Sequence, residues 1–402
     1  MSFTEAAQDM RDELVRLRHS LHTTPEIGLT LPRTQEKVLA ALDGLPLEIT
    51  LGKALSSVTA VLRGGRPGPA VLLRGDMDAL PVAERNDLPY ISRIEGQMHA
   101  CGHDLHTTML AGAAHLLSAR REELAGDVIF MFQPGEEGQH GARHMIEEGV
   151  LDAAGERPVA AYGMHVVSSL LPTGLFASRP GPIMSAADVF AATVKGRGGH
   201  GSTPHLARDP IQAGCEMVTA MQTMVTRTFD AFDPVVVSVG SFHGGSTDNV
   251  IPDEARFEAT VRTFSAGNRA LVKRRLTQVV EAVAAAHDLK VEASIRMGYP
   301  VTVNDAAETA FTAGVVGDLF EGRYITAPNP IMGSEDFSYV LEQVPGAFVF
   351  LGACPPGRDL ATAPYNHSPE ALFDDSVLPD GAALYASLAH RRLAAADAGL
   401  GG

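Results

Sequence analysis

The sequence predicts an α/β chain in which one mixed-sheet domain is interrupted by a smaller inserted one. Three observations lead there. Short apolar runs closed by turns alternate with helical patterns early in the chain, the texture changes at Arg179-Pro180-Gly181-Pro182, and the first pattern resumes after Gly298-Tyr299-Pro300. With 402 residues, 45% of them hydrophobic, the chain is long enough for two buried cores.

Taken in order, Ala6, Met10, Leu14, Leu17 and Leu21 recur at spacings of 4, 4, 3 and 4, which predicts an amphipathic helix with Ser2 or Thr4 as N-cap. The apolar runs at 58–62, 70–73, 128–132, 158–164 and 347–351 are too short for core helices. Helical patterns at 107–117 and 142–148 separate them. Buried, largely parallel strands fit both facts. From 188 the order reads strand 188–195, helix 209–229, strand 234–242, strand 255–264, helix 267–287 and strand 290–297. That β-α-β-β-α-β order is the split pattern of a ferredoxin-like unit. The expected division is a discontinuous larger domain, 1–183 with 299–402, and an inserted one at 184–298.

A formal net charge of −16 leaves no basic surplus for phosphates, so nucleic acid and anionic membrane surfaces are excluded as partners. No run of about 18 apolar residues occurs, so no membrane span is expected. The start, Met1-Ser2-Phe3-Thr4-Glu5, lacks the basic and apolar regions of a signal peptide. Three cysteines make a disulfide framework improbable, and a reducing cytoplasm is the expected location.

Residues suited to chemistry sit just past the apolar runs: Asp76 and Asp78, Glu136 and Glu137, and His165. Ligand sites of open α/β sheets form outside the carboxyl ends of the strands. Cys101 and His103, two apart in Met98-His99-Ala100-Cys101-Gly102-His103-Asp104, would share one face at the end of an extended segment. A lone buried cysteine is usually a small hydrophobe, but His103 beside it favours a thiolate ligand. A Cys-His nucleophilic pair at this spacing would be awkward to align.

An adjacent Glu-Glu pair is most often only solvated. Glu136-Glu137 follows an apolar strand within a Pro- and Gly-bounded turn that can aim the two carboxylates differently. One could then bind a metal while its neighbour faces the water. Asp78 is the expected carboxylate partner of a ligating imidazole, with Asp76 the alternative. His165 and His367 would each read alone as core histidines. The remaining histidines, His106 among them, keep that reading, and His22 is expected in a structural hydrogen-bonding corner. The loop 198–205 is glycine-rich, which lets backbone approach a ligand, but it lacks the Gly-Lys-Ser/Thr ending of a phosphate loop. Together these residues point to metal-assisted amide hydrolysis.

The segments 74–81, 99–104, 133–138, 199–201, 249–252 and 333–338 resemble, in order and over nearly the whole chain, the dinuclear metallopeptidase family of aminoacylase, acetylornithine deacetylase and succinyl-diaminopimelate desuccinylase. The cysteine-containing motif is similar to the hippurate hydrolase and auxin-conjugate amidohydrolase branch. The resemblance implies a zinc-exopeptidase-like catalytic domain with an inserted lid and dimerisation domain. It further implies two divalent ions, manganese or zinc, bridged by Cys101, with His103 and His165 completing one site and Glu137 and His367 the other. Glu136 would be the general base, and Asp78 would belong to the same machinery. His200 would reach the partner subunit's active site in a homodimer and stabilise the oxyanion. Asn249 and Arg262 would lie near the amide and carboxylate of a small N-acyl amino acid. Leu105 departs from a position where glycine is common and is expected to alter pocket width. A dipeptidase or carboxypeptidase with the same site, and a catalytically idle metal-binding relative, are the rival readings.

Overall fold

The computed structural model describes the backbone of residues 1–400 and the side chains of residues 1–397. Two compact units emerge. The first comprises Met1–Ile183, Val303–Asn329 and the chain from Asp336 onward; the second comprises Met184–Thr302 with Pro330–Glu335.

The first unit is built on β1 (Leu47–Leu51), β2 (Val58–Leu62), β3 (Arg66–Asp76), β4 (Ala125–Gln133), β5 (Ala160–Val167) and β6 (Phe176–Ser178). They form an eight-stranded sheet in the order β1-β2-β4-β3-β5, then Gly346–Gly352, β6 and Tyr324–Thr326. β3 runs parallel to β4 and β5, and β5 parallel to Gly346–Gly352, while β1, β2 and β4 pair antiparallel. All residues of β2 and β5 are buried, which is why they read as unbroken apolar runs. The mostly exposed edge strand β1 carries no such run and was invisible to that criterion.

Helices α1 (Phe3–Asp9), α2 (Arg11–His22), α3 (Pro32–Leu42), α4 (His103–Ser118) and α5 (Gly141–Glu147) follow the chain. The single opening helix expected from periodicity is two: the chain bends at Met10, and Phe3 and Ala7 before it, Leu14 and Leu21 after it, are all buried. Ser2 does cap the first, in a reciprocal box with Glu5. Helix α4 is buried along nearly its whole length. It packs against the C-terminal helix from Leu378, α2 and β3. A Cβ at Gly112 would come within 2.9 Å of both Leu14 and Ala382, so glycine permits this close helix packing.

In the second unit the sheet order is Val236–Gly244, Glu254–Thr263, Ala186–Lys195, Lys290–Met297, with every pair antiparallel. Helices Pro210–Thr228 and Ala266–Ala286 start at caps Asp209 and Ser265. Burial alternates along Ala186–Lys195 and Glu254–Thr263, as one covered face requires. The unit also takes in 299–302 and 330–335, which the sequence reading placed in the larger domain. Backbone bonds explain this: Ala187 N–H donates to Tyr299, and Ser185 N–H to the carbonyls of Ile331 and Gly333.

A buried charge network locks the first unit. The Arg74 guanidinium lies 2.6 Å from Asp76 Oδ2 and donates to Gln133 Oε1 at 2.9 Å and Asp336 Oδ1 at 3.1 Å. Gln133 Nε2 donates to both Asp336 oxygens, and Ala142 N–H donates to Asp336 Oδ2 at 2.9 Å. Breaking a fully buried pair from one side is strongly destabilising. Asp336→Ala is expected to lower unfolding free energy by about 3–5 kcal/mol in urea titrations. A loss below about 1 kcal/mol would show the network to be dispensable.

Candidate metal centre

The ends of three parallel strands place the chemistry. Asp76 of β3 pairs with Gln133 of β4, and Arg74 with Gly163 of β5, so the chain segments leaving β3 and β4 start level. Asp78 then accepts the backbone N–H of Glu136 at 2.9 Å and of Glu137 at 3.0 Å. One carboxylate thus fixes two consecutive peptides of the turn. Glu136 is buried and Glu137 half-buried. Asp78 Oδ1 also lies 3.5 Å from His103 Nδ1, so its short bonds go to the glutamate turn instead of the imidazole.

Cys101 and His103 converge, but not along an extended segment. Gly102 adopts φ +81 and His103 begins α4. A Cβ at Gly102 would fall 2.3 Å from Val166 Cγ2. The left-handed turn, closed to other residues on both counts, brings the two ligand types together.

Two triads share Cys101: Cys101, His103 and His165, and Cys101, Glu137 and His367, each with ligand atoms within 4.8 Å of one another. His103, Glu136 and Glu137 form a third group of the same size. Cys101 Sγ is 3.3 Å from His165 Nε2, and Glu137 Oε1 is 3.1 Å from His367 Nε2. His165 Nδ1 lies 2.8 Å from the Val166 carbonyl, which fixes the tautomer that leaves an Nε2 lone pair toward Cys101.

His106, which residue type alone leaves as a core histidine, is part of the centre's support. It reaches Asp76 Oδ1 through Nδ1 at 2.6 Å, and its Nε2 accepts Val166 N–H at 2.8 Å. Both nitrogens are used, so His106 braces β3 against β5 beside the centre. Its placement three residues after His103, on the same helix face, was the available signal. Leu105 is wholly buried in the hydrophobic core of the first unit, so it packs α4 and does not set a pocket's width.

Electrostatics divide the imidazoles. Burial, with His106 and His103 nearby, holds His165 well below its ordinary value. Burial opposes charge on His103 too, but Asp76, Asp78 and Cys101 outweigh it and raise the group well above normal. Contacts with Cys101 and Glu137 push His367 up to about 10. Glu137 is pushed up by burial and then pulled below the usual carboxylate range by His367 and His103.

Both His103 ring nitrogens are buried without a hydrogen-bond partner. An orphaned buried imidazole is costly unless something else satisfies it. The surrounding set of imidazoles, a thiol and a carboxylate is one that borderline divalent cations favour. These residues fit a metal centre.

In the second unit, His200 pairs with Val250 across the two-stranded ribbon, and Gly201 N–H donates to the Asn249 carbonyl at 2.8 Å. His200 and Asn249 are exposed there. Arg262 is half-buried on Glu254–Thr263, its Nη1 3.4 Å from Ser334 Oγ.

Residues 72–391 match the model of peptidase family M20/M25/M40. The chain belongs to this family. Thermostable carboxypeptidase 2 of Saccharolobus solfataricus is 35% identical over 95% of this chain and 96% of its own length. An Arabidopsis thaliana protein named IAA-amino acid hydrolase ILR1-like 4 is 38% identical over 96% of this chain and 87% of its own. The crystal structure of Bacillus subtilis YXEP, described as a dinuclear metal-binding peptidase of family M20, superposes with a TM-score of 0.83 at 32% identity, covering 96% of this chain and 99% of that one. As an M20 member the chain is a metal-dependent amidohydrolase or peptidase, and among its described residues no helix is long and apolar enough to cross a membrane.

Behind the M20 centre, Asp104 accepts from Arg18 Nε at 2.9 Å and lies 2.8 Å from His22 Nδ1, whose Nε2 is 3.1 Å from Glu84. His22 occupies the hydrogen-bonding corner expected of it. Burial raises the Asp104 carboxyl, but Arg18 and His22 more than reverse this and hold it well below the usual range. A depressed carboxylate contributes stability above its unfolded pKa of about 4, and that stability is lost as pH falls toward the folded value. Unfolding free energy is therefore expected to fall from pH 5 to pH 2, and Asp104→Asn to flatten that slope. An unchanged slope would show that Asp104 is not the group responsible.

Proposed function

We propose that this M20 member hydrolyses the amide bond of N-acyl amino acids, with two divalent cations held by Cys101, His103, His165, Glu137 and His367. The observation that carries the reading is the pair of triads sharing Cys101, with Glu136 grouped beside His103 and Glu137. Cys101, which belongs to both triads, would serve both cations, and zinc and manganese are the candidate ions on donor chemistry and branch resemblance. When bound, the cations supply Lewis acidity that polarises the scissile carbonyl and brings water ionisation near pH 7. Three free cysteines suit a reducing cytoplasm.

Glu136 is the proton carrier in this reading. Its carboxylate takes the proton of the attacking water and delivers it to the leaving nitrogen, so that the C–N bond breaks to release a neutral amine in place of an amide anion. Burial to 5% exposure keeps bulk water from competing for that proton. Asp78 holds the Glu136 peptide, so the carboxylate swings from a fixed base.

His200 supplies the oxyanion donor, from the partner subunit of a homodimer. Its Nδ1 accepts Ser202 N–H at 3.1 Å, which leaves the proton on Nε2, ready to donate. Arg262 and Asn249 orient the substrate's carboxylate and amide. The relative named as a carboxypeptidase favours a second reading, peptide substrates at the same centre.

Rates on N-benzoyl, N-acetyl and indole-acetyl amino acids against dipeptides, with zinc and with manganese, decide between these readings. Faster dipeptide cleavage would overturn the first. Glu136→Gln is expected to keep its metal and lose about 10²–10⁴-fold in kcat; undiminished turnover would remove Glu136 as the base. His200→Ala is expected to lose about 10²–10³-fold in kcat with metal content unchanged. Mixing the two inactive variants should restore part of the activity if His200 acts across subunits, and none if it acts within its own chain.

A further inference from the structure

We propose that Asn366 is a positioning residue for the metal centre, one side-chain amide that holds together the three segments bearing Cys101, His165 and His367. The inference rests on the metal-centre reading above.

Asn366 Nδ2 donates to the Val166 carbonyl at 3.0 Å. Its other hydrogen faces Cys101, with the carbonyl at 3.3 Å and the sulfur at 3.8 Å. Oδ1 accepts from Ser168 N–H at 3.0 Å, with Ser168 Oγ 3.1 Å away. Ser168 Oγ in turn is 2.8 Å from the Pro364 carbonyl. Two donors face three acceptors, and one acceptor faces two donors. Among side chains of this size only an amide satisfies both ends.

Each contact bears on a ligand. The Val166 carbonyl that Asn366 binds is the one that receives His165 Nδ1, so Asn366 fixes the acceptor that sets the His165 tautomer. The contact with Cys101 places an N–H donor on the ligand atom itself. His367, next in the chain, sits at φ +72, a left-handed conformation that non-glycine residues hold only when their surroundings enforce it. The enforcing contacts are Asn366 on one side and the bond from His367 N–H to the Ala100 carbonyl, at 2.8 Å, on the other. Groups behind metal ligands typically contribute 10- to 100-fold in metal affinity.

The test is cobalt(II) binding to the metal-stripped full-length chain, read by chelator competition and by the thiolate-to-cobalt charge-transfer band. Asn366→Ala is expected to weaken cobalt binding about 10- to 100-fold and to shift the band. Ser168→Ala, which removes the Oγ contact and keeps the backbone N–H on Oδ1, should move both in the same direction by less. Asn366→Asp keeps the acceptor end and turns a carboxylate oxygen toward three acceptors, so it should lose as much as alanine. Wild-type affinity and band in Ser168→Ala and in whichever Asn366 variant folds would overturn the role, as would a loss of thermal stability with both unchanged. A wild-type protein with no thiolate band would overturn the metal-centre reading and this inference together.

Discussion

The clamp between Asp78 and the two peptides of Glu136 and Glu137 is the constraint on which the centre depends. A buried carboxylate must find hydrogen-bond donors, and here the donors are consecutive backbone amides at the end of the neighbouring parallel strand. Meeting that need joins the outlets of β3 and β4 and gives two adjacent glutamates a common rigid base. Without it the turn would be an ordinary acidic loop. With it, one glutamate sits within the shared-cysteine cluster and its neighbour stands beside it.

The same logic is repeated outward. Asp76 is braced by Arg74 and His106, and Arg74 is shared with Asp336. Asp104, next to His103, is held by Arg18 and His22. Asp76 and Asp336 thus share the Arg74 guanidinium, and Asp104 lies against that of Arg18. At the middle of the centre both nitrogens of His103 lack a hydrogen bond. A divalent cation held by the surrounding thiol, imidazole and carboxylate set would satisfy that ring where the protein's own atoms do not.

Much of this was legible in the letters. Glu136, Glu137 and His165 could be read because metal-ligating types fell at or just beyond the ends of apolar strands, where α/β sheets put their sites, and Cys101 and His103 from their types and their spacing. The order of strands and helices in the inserted unit was equally plain, since its alternation and caps are local signals. Other features were not local. The fold of 330–335 into the second unit is decided by backbone bonds to Ser185, far away in sequence. The bend at Met10 leaves the helical period almost intact, so periodicity could not see it. His106 and Asn366 act by holding carbonyls, amides and carboxylates in place. Nothing in a residue's type separates such a brace from a solvent-exposed polar group until its partners are known.

The chemistry of the centre does not choose between amide and peptide, because both reactions break the same bond with the same groups. Relatives of nearly equal identity carry names from both sides. Discrimination must therefore come from residues that meet the parts of the substrate away from the scissile bond. Leu105, the one visible departure in the cysteine motif, is excluded from that task by its burial in the core. In the reading proposed above Arg262 meets the carboxylate end, a task to which the planar fork of a guanidinium is suited. A free α-carboxylate is common to N-acyl amino acids and to carboxypeptidase substrates alike. The acyl side is then where the two activities separate, and it is there that an aromatic acyl group and a peptide chain differ most in the shape they require.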